Sequence, residues 1–222
     1  MSPVFANGSE HPTSFDKTIF DYADELRIRV PTACGRNGEC HECVVEIKKG
    51  MESLNSLSEE ESFLRGNYRL ACQATVKDLS AIVEFSTLRR QPKILTSGIK
   101  RDVDLDSVVT ISNGRVSIDG TDVDKYQGHA LGLAGDIGTT TVVLSIIDLE
   151  SGETIETSSF ENPQRFGGSD VMNRISYDGG PENGELQKVL LASINYEIGE
   201  MLKNRRLHRR RIYDAVFVGN TT

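Results

Sequence analysis

Four cysteines constrain this chain more than any other feature of its sequence. Three of them share one short loop with the spacing C-x5-C-x2-C, at Cys34, Cys40 and Cys43, and Cys72 follows after 28 intervening residues. Four thiolates, three in a loop and one distant, suit a 2Fe-2S cluster, because the loop can wrap one side of the cluster while the last ligand closes the other. We therefore predict that these four cysteines are metal ligands.

Two other interpretations of the cysteines stay open. Structural zinc is the main one, although zinc ribbons generally supply two C-x2-C pairs and this chain has one. Unliganded thiols are the other. Disulfides are disfavoured, because the opening MSPVFANGSE lacks the basic and apolar regions of a secretory signal, so nothing indicates an oxidising compartment.

Two glycines in the cysteine loop fit the binding of a cluster. Gly35 and Gly38 permit backbone conformations that aim amide N–H groups at the cysteine sulfurs. Such hydrogen bonds help to set the reduction potential of an iron–sulfur cluster. His41 lies between the last two loop cysteines, and we expect an exposed polar loop residue there rather than a tuner of the cluster or a partner contact.

Short elements are predicted around the cysteines. We expect a helix at 19–26, a strand at 44–47 and a second helix that begins at Ser58. This serine is a good N-cap, and the three glutamates that follow it suit the positive end of the helix dipole. Apolar alternation after the last cysteine predicts further strands at 74–76 and 81–85.

Beyond residue 90 the pattern changes to longer strands and one long helix. A hairpin is expected at 108–118 around an Asn-Gly turn. Residues 131–148 read as two strands joined by a tight turn of glycine and threonine. Apolar residues recur every three or four positions over 186–202, which predicts a core-facing helix. A buried strand is expected at 215–218.

The turn within 131–148 is a second candidate site. Asp136, Gly138, Thr139, Thr140 and Thr141 place small residues between two apolar runs. Backbone N–H groups and hydroxyls of such a turn can approach phosphate oxygens, while the leading carboxylate can orient a hydrated Mg²⁺. An ordinary hairpin turn is the alternative interpretation.

Composition excludes two classes of protein. The 222 residues are 37% hydrophobic, and the lack of any run approaching 18 consecutive apolar residues excludes a membrane-spanning chain. A net charge of −8 argues against a general nucleic-acid binder. The basic run from Lys203 to Arg211 is interpreted as a solvated helix end. We expect a cytoplasmic protein that binds neither nucleic acid nor membrane.

The cysteine segment resembles the 2Fe-2S ferredoxins. The stretches CGRNGECHEC and YRLACQ are similar to the cluster-binding segments of that family, with the five-residue first gap of the adrenodoxin-like type. The resemblance covers about residues 15–88 and implies a β-grasp fold. Such domains usually open with a β-hairpin, whereas residues 1–16 carry only weak strand signals, so the first strand is expected to be irregular or missing.

The chain as a whole resembles the ferredoxin-containing, ASKHA-domain activators of corrinoid proteins. The further matches are DIGTTT, ENPQRFGGSDVMNRI and the final VGNTT. DIGTTT resembles the first phosphate motif of the actin, sugar-kinase and heat-shock chaperone superfamily. The resemblance implies a 2Fe-2S cluster that returns a Co(II) corrinoid to Co(I), with ATP hydrolysis driving the transfer. It also implies an electron donor protein or reductase and a corrinoid protein as acceptor.

These observations predict an α+β chain in three parts. A β-grasp 2Fe-2S ferredoxin-like domain occupies 1–90, a linker with a small β unit occupies 91–130, and the incomplete start of an ASKHA, RNase H-like α/β domain occupies 131–222. Because family members are far longer, we expect a chain truncated at Thr222 that carries electrons but binds Mg-ATP weakly or not at all. The alternative is a zinc-stabilised structural module attached to a non-catalytic actin-like fragment. No catalytic residue is assigned.

Overall fold

A computed structural model describes residues 3–6, 8–88 and 106–220, which form short strands, short helices and one long helix. The α+β class expected from the sequence is confirmed. The chain divides into two units, one of residues 1–90 with 162–194 and one of residues 91–161 with 195–221. The predicted linker begins at residue 91, which lies outside the described residues, as does Thr222.

A five-stranded sheet forms the centre of the first unit. Its strands lie in the order β2-β1-β5-β3-β4, with the bounds β1 (Pro3–Ala6), β2 (Ser9–Pro12), β3 (Val44–Lys49), β4 (Tyr68–Leu70) and β5 (Val83–Thr87). β1 runs parallel to β5, and every other neighbouring pair is antiparallel. The expectation of an irregular or missing first strand is wrong, because β1 and β2 pair over four residues each.

A short helix, α1 (Ile19–Glu25), buries its apolar side in the core of this unit. Thr18 caps the helix: its hydroxyl accepts the N–H of Asp21 at 3.1 Å, and the Asp21 carboxylate accepts the N–H of Thr18 at 3.0 Å. The Tyr22 hydroxyl donates to the carbonyl of Ser14 at 2.9 Å. These bonds fix the helix predicted at this place.

The helix predicted to begin at Ser58 is only a single 3-10 turn, Glu59–Glu61. Its last residue, Glu61, turns inward and is fully buried, where its two oxygens accept hydrogen bonds from Arg69 at 2.8 and 2.9 Å. The N–H of Leu70 donates to the same carboxylate at 2.8 Å. The chain leaves the helical path because this ion pair is buried beneath it.

The strands expected on either side of residue 80 differ in outcome. The one predicted at 81–85 is confirmed as β5, with a slightly later start. Residues 74–76 form only isolated bridges, from Thr75 to Thr18 and from Val76 to Leu54. β4 was not predicted, because three residues are too few to show alternation.

The second unit contains a small antiparallel sheet of three strands. They are β6 (Val109–Ser112), β7 (Arg115–Ile118) and β8 (Thr121–Lys125). The predicted hairpin is confirmed, with Asn113 and Gly114 at φ of 49° and 71° in its turn. β8 was not predicted, because its sequence TDVDK has one apolar residue and its side chains are mostly exposed.

A four-stranded sheet completes the second unit, in the order β11-β10-β9-β12. Its strands are β9 (Leu131–Ile137), β10 (Thr141–Asp148), β11 (Thr154–Glu161) and β12 (Ile212–Gly219). β9 and β10 confirm the predicted pair of strands, and β12 runs parallel to β9.

The strand predicted near the end of the chain is present, but the prediction that it is buried is wrong. Val216, Phe217 and Val218 are 59%, 44% and 60% exposed. The reason is the position of β12 at the edge of the sheet, where β9 is its one hydrogen-bonded neighbour among the described strands.

Two helices follow β11. α2 (Val171–Asp178) is capped by Asp170, whose side chain accepts the N–H of Asn173 at 2.9 Å, and α3 (Glu185–Arg205) confirms the predicted long helix. The basic run at the end of α3 is not simply solvated, because Arg211 donates to Asp124 at 3.1 Å. No helix in the described ranges is long and apolar enough to cross a membrane.

Candidate metal centre

Two of the cysteines are brought together by the pairing of β3 with β4. Cys43 immediately precedes β3, and Cys72 follows the end of β4 by two residues. Because the strands are antiparallel and pair Val44 with Leu70, both cysteines emerge at the same end of the sheet. Their Sγ atoms lie 3.4 Å apart, and both residues are buried.

The other two cysteines approach each other inside the loop. Burial raises the pKa of the Cys34 thiol, but hydrogen bonds from the backbone and side chain of Cys40 and from the backbones of Asn37 and Gly38 outweigh it, so that the pKa falls to about 6. The Cys40 sulfur accepts the N–H of Ala33 at 3.5 Å. A loop that favours a thiolate is prepared to bind a metal, since the thiolate is the ligating form.

The Cys43 thiol donates its proton in a hydrogen bond to the Cys72 sulfur. The hydrogen bond from Cys43 lowers the pKa of Cys72 to about 7, against the effect of burial and with help from the side chain of Gln73. The same hydrogen bond and burial raise the pKa of Cys43. Metal binding would release this proton, because the ligands of a metal must be deprotonated.

The two loop glycines adopt the conformations expected of them. Gly35 and Gly38 have φ of 69° and 93°. Gly38 is buried, and its backbone N–H lowers the pKa of Cys34 and of Cys72. A β-carbon at this position would lie 3.0 Å from Cγ of Glu60, so an added side chain would have to displace the Glu60 side chain.

This donor set fits a 2Fe-2S cluster. Such a cluster takes four thiolates, and the four thiols here form two close pairs, Cys34 with Cys40 and Cys43 with Cys72. Within the part of the chain that the structure describes, no three His, Cys, Asp or Glu side chains are grouped so as to hold one metal ion. A cluster with two irons needs only a pair of thiolates at each.

His41 is not the exposed loop residue that the sequence suggested. Its side chain is 18% exposed, and its ring stacks on Phe63 with centroids 4.1 Å apart. Nδ1 of His41 lies 2.7 Å from Oε2 of Glu185, at the start of α3. No local signal could have predicted this contact, because 144 positions separate the two residues.

The second candidate site is the turn between β9 and β10. Asp136 is exposed near the end of β9, and the N–H of Gly138 donates to the carbonyl of Thr141 at 2.9 Å, which closes the turn. Asn220, just beyond β12, donates from Nδ2 to the Thr139 hydroxyl at 2.7 Å. No local signal indicates that Asn220 contacts this turn, because the parallel pairing of β12 with β9 brings it there.

Family models match most of the chain in two separate stretches. Residues 4–77 match the 2Fe-2S iron-sulfur cluster binding domain, and residues 131–222 match the RACo middle region. A curated relative, the corrinoid activation enzyme RamQ of Eubacterium limosum, is 33% identical over 116 residues, which are 51% of this chain and 19% of the relative. The chain therefore spans about a fifth of the length of that relative.

Two similar solved structures are an activator and a ferredoxin. The first is a reductive activator for corrinoid, iron-sulfur protein, with 23% identity, a TM-score of 0.48, and coverage of 100% of this chain and 47% of that one. The second is an ISC-like 2Fe-2S ferredoxin from Pseudomonas putida, with 22% identity, a TM-score of 0.36, and coverage of 41% of this chain and 100% of that one.

Proposed function

We propose that this chain, which joins a 2Fe-2S ferredoxin-like domain to a RACo middle region and is homologous to a corrinoid activation enzyme, carries single electrons to a corrinoid protein. The observation that carries the proposal is the arrangement of four thiols in two close pairs at one end of a ferredoxin-like sheet. The remaining sequence match, to the RACo middle region, supports the identity of the acceptor.

Cys34, Cys40, Cys43 and Cys72 would hold the cluster, and the cluster, when bound, supplies a site for one electron at a time. The other residues of the chain determine the charge and the solvent access around that site. The Gly38 N–H directs positive charge toward two of the sulfurs, which offsets some of the negative charge of four thiolates. Cys34 and Cys40 are only half-buried, so electrons would enter and leave on their side.

The electron balance of the proposed reaction is simple. A donor protein or reductase loses one electron to the domain, and a corrinoid acceptor takes it, so that Co(II) becomes Co(I). A thiol-ligated centre persists in a reducing compartment, which supports a cytoplasmic location for the reaction.

For the second site, we propose a role in ATP binding. Asp136 would orient Mg²⁺, and Gly138, Thr139, Thr140 and Thr141 would face phosphate. The Gly138 N–H is engaged within the turn, so phosphate contacts fall chiefly to the hydroxyls. The Thr139 hydroxyl accepts a hydrogen bond from Asn220 and, like any hydroxyl, still carries a proton to donate.

Electron delivery can be tested with the reduced chain and a corrinoid protein poised as Co(II). Methyl iodide in the mixture traps Co(I) as methyl-cobalt, which draws an unfavourable transfer forward. We expect methyl-cobalt to accumulate as the chain is oxidised, one equivalent per electron lost. Cys72→Ser serves as the control that should deliver none. The proposal fails if titanium(III) citrate forms methyl-cobalt in the same assay and the reduced chain does not.

A further inference from the structure

Part of the second half of the chain packs within the first unit. Residues 162–194, here called the docking segment, belong to the same unit as residues 1–90. The segment comprises a 3-10 turn at Pro163–Gly167, α2 and the beginning of α3. It lies entirely within the stretch that matches the RACo middle region.

The docking segment shares the hydrophobic core of the ferredoxin-like domain. Phe166, Tyr177 and Leu186 are at least 95% buried and belong to the same cluster as Phe63. The Phe63 and Phe166 rings meet edge to face with centroids 5.9 Å apart, and the Tyr177 hydroxyl donates to the carbonyl of Phe63. This is the packing of a core rather than a loose contact between surfaces.

Ion pairs away from the cysteine loop hold the edges of the docking segment. Arg165 contacts Glu46 at 2.7 Å, with both side chains largely buried, and Arg65 contacts Glu182 at 2.9 Å. Neither pair includes a residue of the cysteine loop. They anchor the segment without contact with the loop itself.

Two residues of α3 do contact the loop, on either side of Cys40. The Glu185 carboxylate accepts a hydrogen bond from Nδ1 of His41 at 2.7 Å, and the ammonium group of Lys188 donates to the carbonyl of Glu39 at 3.4 Å. Glu185 and Lys188 are three positions apart on the helix, which places them on one face.

The backbone of His41 needs this support. Its φ is 57°, in the left-handed region that costs a non-glycine residue energy. The ring is fixed on one side by stacking against Phe63 and at its edge by Glu185. A residue held in this way between two ligands dictates the path of the chain from Cys40 to Cys43.

We propose that Glu185 is a positioning residue for the iron–sulfur centre, acting through His41 on the loop between Cys40 and Cys43. The inference rests on the proposed function, since it requires a cluster at the four cysteines. It means that the second half of the chain sets the reduction potential of a centre bound in the first 90 residues. Coupling is reciprocal, so reduction of the centre would in turn change how tightly the docking segment binds the loop.

Loss of the Glu185 carboxylate should raise the reduction potential for two reasons. Reduction adds a negative charge to the centre, and that charge is more stable when one nearby anion is gone. A loosened loop also admits water, which stabilises the charge of the reduced form and so raises the potential as well.

The test is a redox titration of the whole chain at one fixed pH, followed by visible absorbance and EPR, with iron determined for each variant. We expect Glu185→Ala to shift the midpoint potential to a more positive value. Glu185→Gln, which loses the charge but keeps a hydrogen-bonding group, should shift it less in the same direction. Glu182→Ala is the matched control, because it removes a carboxylate of the docking segment that binds Arg65 and not the loop; its potential should equal that of the wild type.

The inference is overturned if Glu185→Ala keeps its iron and titrates like the wild type, or if Glu182→Ala shifts the potential as much. Should Glu185→Ala lose iron, Glu185→Gln decides the matter, and a wild-type potential for that variant overturns the inference. A wild-type chain that binds no cluster overturns the proposed function instead, which the iron determination shows before any titration.

Discussion

The two candidate sites of this chain differ in how they are enclosed. Cys43 and Cys72 are buried at one end of a pair of strands, and the Cys72 sulfur accepts hydrogen bonds from the Cys43 thiol and the Gln73 side chain. Asp136 and Thr140 are exposed at the end of a hairpin, where Asn220 donates a hydrogen bond to the Thr139 hydroxyl. The four cysteine ligands of the metal centre all lie in one small unit. A phosphate-binding turn, by contrast, supplies only some of the contacts that a nucleotide needs.

This contrast predicts that changes near the cysteines alter stability and the metal centre together, while changes at the turn alter neither. The experiments below test it, beginning with the largest expected effect.

The buried pair of Glu61 and Arg69 should give the largest loss of stability. Glu61→Ala leaves the Arg69 guanidinium buried without its counter-ion, which costs about 3–5 kcal/mol. Because Leu70 also donates to Glu61, just before Cys72, cluster content should fall with stability. Urea unfolding followed by circular dichroism measures the first effect, and iron analysis the second.

The matched control for this change is Glu84→Ala. Glu84 pairs with Lys49 on the surface of the same sheet, where an ion pair contributes at most about 1 kcal/mol. If both variants lose the same free energy of unfolding, the buried pair does not support the cysteine site.

A smaller effect is expected at the loop glycines. Gly38→Ala forces a side chain into the left-handed region, at a cost of about 1–2 kcal/mol, and presses it against Glu60 and Gln73. Gly35→Ala carries the same backbone cost, but no atom lies within 4 Å of the added carbon. We therefore expect Gly38→Ala to lower the melting temperature more, and to change the potential of the centre where Gly35→Ala does not. Equal melting temperatures for the two variants would count against close packing at Gly38.

The turn should give the smallest effects. Asp136→Asn alters an exposed side chain, so the free energy of unfolding should change by no more than about 0.5 kcal/mol. Iron content should stay at the wild-type level. A drop in either would mean that the turn and the metal centre are not independent.

Nucleotide binding tests the same turn directly. We expect this chain to bind Mg-ATP weakly or not at all, because the turn supplies only some of the contacts that a nucleotide needs. Isothermal titration calorimetry that shows micromolar binding, lost in Asp136→Asn, would contradict this expectation.

The parts of the fold that could be predicted are those recorded in local patterns. Three features could be predicted from residues that are close together in the sequence. They are the spacing of Cys34, Cys40 and Cys43, the apolar stripe of α3 and the two strands around the Gly/Thr turn. Strand β2 was missed because it lies at the edge of the sheet and its sequence is polar, and β1 was missed because four residues are too few to show alternation.

The parts that could not be predicted depend on contacts between distant residues. Ser58 and three glutamates have the composition of a helix start, but burial of Glu61 against Arg69 ends the helix after one turn. His41 reads as a polar loop residue until Glu185, 144 positions later, is placed beside it. The same holds for β12, whose apolar sequence predicts burial although its place is at a sheet edge.

The most direct test of the central claim is to count iron, sulfide and electrons in the chain purified or reconstituted without oxygen. We predict two irons and two acid-labile sulfides per chain, visible absorbance that is bleached by dithionite, and an S = ½ EPR signal that integrates to one electron. The signal should be lost or strongly altered in Cys72→Ser. Stoichiometric zinc with no visible absorbance would contradict the account.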